Sequence, residues 1–170
     1  MKLSALEEYG LRCLLQVGRE WPDGILTIPA MAKREGLSVP HAAKIMQLLR
    51  QGGFVRSVRG QVGGYALSRP PDKILVRDVL VSMGGKLYEE AFCRSHKGAL
   101  RLCRHTTDCS IRSLWRSIQQ AVDSVLANMT LQDLLASEQD AANRMAALVT
   151  LDSPAREQIA PGALRLSLIH

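Results

Sequence analysis

Apolar residues recur at helical spacing from the start of the chain. Leu6, Tyr9, Cys13, Leu14 and Val17 mark one face of a first helix, and Ser4-x-x-Glu7 ahead of it is a capping box. Trp21-Pro22-Asp23-Gly24 reads as a turn, followed by a short strand over residues 25–28. Pro29 then opens a second helix that Gly36 closes. Ser38 caps a third helix, with Pro40 in its first turn and Gly52-Gly53 past its end. On that third helix Ala42, Ile45, Met46 and Leu49 share one side. Pro40, Lys44, Gln47 and Gln51 share the other, flanked by His41 and Arg50. Residues 54–58 and 65–68 read as two strands. The tip between them holds Gly60, Gly63 and Gly64, which lets the backbone turn tightly. A short helix follows over residues 75–83.

The periodicity then stops. Residues 93–109 neither alternate like a strand nor repeat like a helix, so they read as a loop. Beyond it Ile111, Leu114, Trp115, Ile118, Val122, Val125, Leu126 and Met129 form an apolar stripe about five turns long. Arg112, Arg116, Gln119, Gln120 and Asp123 lie on the other side. Thr130-x-x-Asp133 starts one more short helix carrying Leu131, Leu134 and Leu135. From Ser137 the pattern fades, and Pro154, Pro161 and scattered charge predict a flexible tail over residues 138–170.

Two short helices joined by a tight turn, then a hairpin, define a winged helix-turn-helix. The fold expected is mainly α with a small β-hairpin wing. Residues 1–84 form the DNA-binding domain, 85–110 a cysteine-rich loop, and 110–137 a dimerisation helix with its short follower. A stripe as long as 111–129 has to be covered, and a second copy of the chain covers it best because two-fold readers of DNA are dimers. Ile111, Leu114, Trp115, Ile118, Val122 and Val125 are the interface residues expected.

Charge supports the DNA reading. The chain of 170 residues carries a net +6, and residues 1–84 hold 12 Lys/Arg against 7 Asp/Glu, so the excess sits on the winged half. The residues expected at double-stranded DNA are Ser38, Pro40, His41, Lys44 and Gln47 on the third helix, with Arg56, Arg59 and Gln61 on the wing. No stretch approaches the roughly 20 apolar residues that span a bilayer. MKLSALEEYG has acids where a signal peptide has its apolar core. A cytoplasmic, nucleoid-associated protein is expected, with no membrane and no small-molecule substrate among its partners.

Three of the four cysteines lie in the loop, and in a reducing compartment clustered thiols bind metal or do redox work. Cys93, Cys103 and Cys109 are separated by nine and then five residues, looser than the chelates of structural zinc sites. An iron–sulfur cluster suits such spacing, while zinc completed by His96 or His105, and metal-free redox thiols, stay open. A Cys/His enzyme is the rival from another class. It lacks an orienting acid and an oxyanion-hole motif. Cys13, on the apolar face of the first helix, reads as a small buried hydrophobe.

The start MKLSALEEYGLRCLL, Gly36-Leu37-Ser38 before the third helix, the wing at residues 57–65, and three cysteines ahead of a Leu114-Trp115 helix resemble the IscR/NsrR-type (Rrf family) winged-helix iron–sulfur transcription regulators. The likeness runs from residue 1 to about 137. It implies a homodimeric bacterial regulator, often a repressor, whose iron–sulfur cluster senses redox state, nitric oxide or iron–sulfur supply. It also implies Cys93, Cys103 and Cys109 as cluster ligands, the third helix as recognition helix and Arg59 as a wing contact. Two features depart from it. The first cysteine gap is longer than in better-known members, and the histidine ligand of the IscR branch is replaced by Arg112. Glu8 from the partner subunit is the fourth ligand the resemblance offers, and a 2Fe–2S cluster is preferred over 4Fe–4S. The other role for Glu8 is a surface pair with Arg12, one turn on.

Overall fold

Ser4 starts the first helix as the capping box requires. Its hydroxyl accepts from Glu7 N–H at 3.2 Å, and Glu7 Oε2 accepts from Ser4 N–H at 2.8 Å. The computed structural model describes residues 4–60, 63–89, 92 and 108–151. Helix α1 (Ala5–Gly18) buries Cys13, Leu14 and Val17. Helix α2 (Ile28–Glu35) is capped by Thr27, whose hydroxyl accepts from Ala30 N–H, and closed by Gly36 in the left-handed region at φ 65°. Helix α3 (Val39–Gln51) is capped by Ser38 and buries Ala42, Ile45, Met46 and Leu49.

Residues 25–28 do not make the strand expected of them. Only Leu26 pairs, through two 2.9 Å hydrogen bonds with Tyr65. The Thr27 cap and Pro29 in the first turn commit the chain to helix immediately afterwards. The wing is the antiparallel pair β1 (Val55–Val58) and β2 (Gly64–Leu67), in register Val55↔Leu67 to Val58↔Gly64. Gly64 has a packing reason: a Cβ there would lie 2.6 Å from the Leu26 carbonyl oxygen. The single bridge at Leu26 thus ties the wing to the helices.

A 3-10 turn (Pro71–Lys73) leads into α4 (Val76–Gly84). The long amphipathic helix is α5 (Ser110–Leu126), followed by α6 (Leu131–Leu135) with a Thr130–Asp133 capping box. After α5 the backbone returns to the winged domain. Val76 N–H donates to Met129 O at 2.9 Å, and Leu131 N–H to Ile74 O at 2.8 Å. Leu131 then enters the same core as Leu14, Ile45 and Leu49. Gly18 gives α6 room, since a Cβ there would meet Leu135 Cδ1 at 3.1 Å.

Two expectations about the C-terminal half change. Met129, at the end of the predicted stripe, is buried against Val76 and Leu148 of its own chain. Residues 138–151 form a helix, α7 (Glu138–Leu151), where the fading pattern predicts a flexible tail. Ser137 accepts from Asp140 N–H ahead of it. Met145 and Leu148, one turn apart in space, pack it onto Leu126, Leu134 and Met129. Residues 152–170 lie outside the described residues.

Candidate nucleic-acid interface and sensor site

The outer face of α3 is largely polar because the inner face takes Ala42, Ile45, Met46 and Leu49, with Val39 the exposed apolar exception. Ser38, Pro40, Lys44 and Gln47 are exposed, and His41 is half-buried. His41 meets the Tyr9 ring edge-on, with centroids 5.5 Å apart and planes at 77°. The Arg12 guanidinium lies over the Tyr9 ring, 5.4 Å from its centroid. On the wing Arg56 and Arg59 are exposed, and Gly60 takes φ 149° at the tip. Gln61 lies outside the described residues.

Arg12 does not pair with Glu8. Its Nε donates to Glu35 Oε2 at 2.7 Å, and Gln16 Nε2 donates to the other carboxylate oxygen of Glu35. The Glu35 carboxylate raises the Arg12 pKa above its ordinary value, first through the hydrogen bond and then through its charge. Sequence reasoning missed Glu35. The shared face of Arg12 and Gln16, one turn apart, was the available signal, but the partner lies 23 residues away. Glu8 is exposed, and its carboxylate makes no ion pair or hydrogen bond among the described residues.

The cysteines separate by environment. Cys13 is fully buried, and desolvation, with a smaller push from Glu35, moves its thiol from the ordinary value of 9.0 up to about 12. That matches its expected structural role. Cys109 is half-buried at the N-cap of α5, where its Sγ accepts from Arg112 N–H at 3.4 Å. Helix N-termini favour negatively charged groups. A cavity of about 290 Å³ opens beside it, lined by Asp108, Cys109, Ser110 and Ile111. Cys93, Cys103, His96 and His105 lie outside the described residues, and those described bring no three metal-binding side chains together. One thiol at a helix N-terminus beside open space, and one exposed carboxylate outside any ion pair or hydrogen bond among the described residues, are donor types that fit an iron–sulfur cluster.

Helix α5 presents its two sides unusually. Ile111, Leu114 and Trp115 are 62 %, 55 % and 42 % exposed, and Ile118, Val122 and Val125 are half-buried. Of the polar side, Arg116 and Gln120 are exposed while Gln119 and Asp123 are half-buried: Gln119 Oε1 accepts from Tyr88 N–H at 2.8 Å, and Gln119 Nε2 donates to Asp123 Oδ1 at 3.1 Å.

A capped helix pair with a polar outer face, a hairpin wing tied to it, and a long helix with an uncovered apolar end define a winged helix-turn-helix transcription regulator. The profile of the Rrf2 family, described as "Iron-dependent Transcriptional regulator", matches residues 3–137. The chain belongs to that family. It is 27 % identical over 146 residues to the HTH-type transcriptional regulator IscR of Xenorhabdus nematophila, covering 85 % of this chain and 86 % of that one. It is 29 % identical over 135 residues to IscR of Aliivibrio salmonicida, covering 79 % and 77 %. Among solved structures, T. potens IscR has a TM-score of 0.63 at 30 % identity, covering 83 % of this chain and 88 % of that one. CymR, the global cysteine regulator of B. subtilis, has a TM-score of 0.63 at 27 % identity over 79 % and 96 %. These relatives are regulators rather than enzymes, so the Cys/His enzyme reading is set aside. No helix among the described residues is long and apolar enough to cross a membrane.

Proposed function

We propose that the chain is a homodimeric DNA-binding regulator that senses its signal through an iron–sulfur cluster held by Cys93, Cys103 and Cys109, with Glu8 of the partner subunit as fourth ligand. The observation that carries the dimer is the apolar end of α5, since Ile111, Leu114 and Trp115 are all exposed and contiguous apolar surface of that kind marks an interface. The recognition helix is α3, with Ser38, Pro40, His41, Lys44 and Gln47 at the major groove. Arg56, Arg59 and Gln61 on the wing take the minor groove and backbone.

Cys109 holds its ligand atom at the first turn of α5, beside the dimer surface. Glu8 is the right kind of fourth donor because its carboxylate is uncommitted, whereas Glu7 is occupied by the Ser4 cap. A carboxylate is a harder donor than thiolate, so its bond is the labile one. The cluster supplies a redox-active, oxidant-sensitive group, of 2Fe–2S type. The chain's part is to place its ligands on α1 of one winged domain and at the start of α5 of the other, so that ligation fixes the spacing of the two recognition helices. Half-sites about one DNA turn apart then fit or fail to fit.

Anaerobic purification with iron and sulfide assays tests this reading. Visible absorbance and near-equal iron and sulfide are expected, and both should be lost from Cys109→Ser. Colourless protein containing zinc would overturn it. Glu8→Ala beside His96→Ala and His105→Ala tests the fourth ligand. A cluster spectrum unchanged by Glu8→Ala but lost from a histidine variant would place the ligand on the histidine.

A further inference from the structure

Residues of three helices meet around one ring at the N-terminal end of α3. Tyr9 of α1 stands edge-on to His41 of α3, with centroids 5.5 Å apart and planes at 77°. The Arg12 guanidinium lies over the same tyrosine ring at 5.4 Å. Arg12 is in turn held by the buried Glu35 of α2 at 2.7 Å. Tyr9 also packs on the winged core, so its ring is a fixed surface for His41 to rest on.

That contact sets His41 apart from its neighbours on the helix. Ser38, Pro40, Lys44 and Gln47 are exposed, whereas His41 is half-buried. Among the described residues Lys44 and Gln47 make no side-chain hydrogen bond or ion pair, so their polar ends sample several rotamers in the free protein. The backbone of His41 is pinned as well, because its N–H donates to the Ser38 cap at 3.4 Å. Residues at this end of a recognition helix meet base edges. An imidazole held in one orientation points its nitrogen donor and acceptor in fixed directions. It pairs with a matching base edge and is left unpaired against others, which turns base identity into a difference of affinity. A ring free to turn adapts to several bases and discriminates less.

We propose that Tyr9, which lies outside the recognition helix, is a positioning residue for base readout: it holds the His41 imidazole so that α3 discriminates one base pair in each half-site. Arg12 and Glu35 steady the tyrosine. This role rests on α3 being the recognition helix, as proposed above, and is independent of the cluster.

The test is selection from a randomised duplex library of about 30 bp, long enough for two half-sites one turn apart. Full-length parent, Tyr9→Phe, Tyr9→Leu, Tyr9→Met, His41→Ala and the double variant Tyr9→Leu/His41→Ala are compared. Competition titrations then give the relative affinity for each base pair at each position. These ratios are taken within one preparation, so a lower folded fraction cancels. His41→Ala should reduce discrimination at one base pair per half-site by about fivefold or more. The ringless variants Tyr9→Leu and Tyr9→Met should flatten that same position and spare the others, while Tyr9→Phe keeps the parent preferences. The double variant should be no flatter than His41→Ala. Parent-like preferences in both ringless variants would overturn the proposal. So would a uniform loss at all positions, which marks a purely structural tyrosine, or a change at positions that His41→Ala spares. Unchanged preferences in His41→Ala would overturn both the proposal and the base contact of His41 on which it rests.

Discussion

Arg12 on α1 and Glu35 on α2 are joined by a 2.7 Å ion pair in which the Glu35 side chain is only 6 % exposed while that of Arg12 is 43 % exposed. The asymmetry decides what each loss does. Removing Arg12 leaves a buried charge with Gln16 as its remaining partner, whereas removing the charge of Glu35 leaves a guanidinium that water can reach. Arg12→Ala should therefore lower Tm more than Gln16→Ala, and adding Glu35→Gln to Arg12→Ala should recover part of the loss. Strict additivity in that double-mutant cycle would mean the two side chains are not coupled.

Cys13 gives an alkaline signature. Its thiol ionises near 9.0 when the chain is unfolded and near 12 in the core. The unfolded state thus releases the proton first, and stability that is intact below pH 9 is lost as pH rises towards 12. Denaturant titrations between pH 8 and pH 10 should show a slope that Cys13→Ala reduces, within the range accessible before general base denaturation. In the native protein freed of metal, alkylation mapped by mass should label Cys109 and reach Cys13 only on unfolding.

The wing and the recognition helix should fail in different ways. Arg59→Ala should cost about 1–3 kcal/mol and relax preference at flanking A·T positions. Lys44→Ala should weaken all sequences alike and lower the salt slope by about one. Mobility-shift titrations at several salt concentrations separate the two effects. Equal retention of specific binding by both variants would move the interface elsewhere.

Leu114 and Leu131 lie on helices joined by a short turn but serve different surfaces. Leu114→Glu should give a monomer by sedimentation while keeping its helical circular dichroism, because an unpaired charge buried between copies costs several kcal/mol. Leu131 is 1 % exposed in the winged core, and Leu131→Ala should cost about 2–5 kcal/mol of folding stability. A dimer unchanged by both Leu114→Glu and Ile118→Glu would place the interface off this stripe.

The winged domain was legible because its signals are local. Ser4, Ser38 and Thr130 cap where their spacing places them, and the apolar side of α3 reads directly as core. What was illegible depends on contacts distant in sequence. Nothing near Glu35 announces Arg12, and nothing near Met129 announces Val76 and Leu148. Helix α7 was missed because its stripe is narrow: Met145 and Leu148 are the apolar residues that find the second core cluster. Cys109 stands at a helix start as the stripe after it requires, whereas a donor from a second subunit, as proposed for Glu8, would leave no periodicity to read.

The return of the backbone at Met129 and Leu131 has a mechanical meaning. Helix α5 is clamped at its C-terminal end by the single antiparallel bridge between Leu75 and Thr130, and it carries Cys109 at the other end. It is a cantilever. Seventeen residues at about 1.5 Å each give an arm of about 25 Å. A pivot of about 5° at the clamp displaces the tip by about 2 Å, comparable to the helix shifts that switch other assemblies. If Cys109 ligates a cluster as proposed, force applied at the thiol would reach, by the same arm, Ile74 and the core that seats α3.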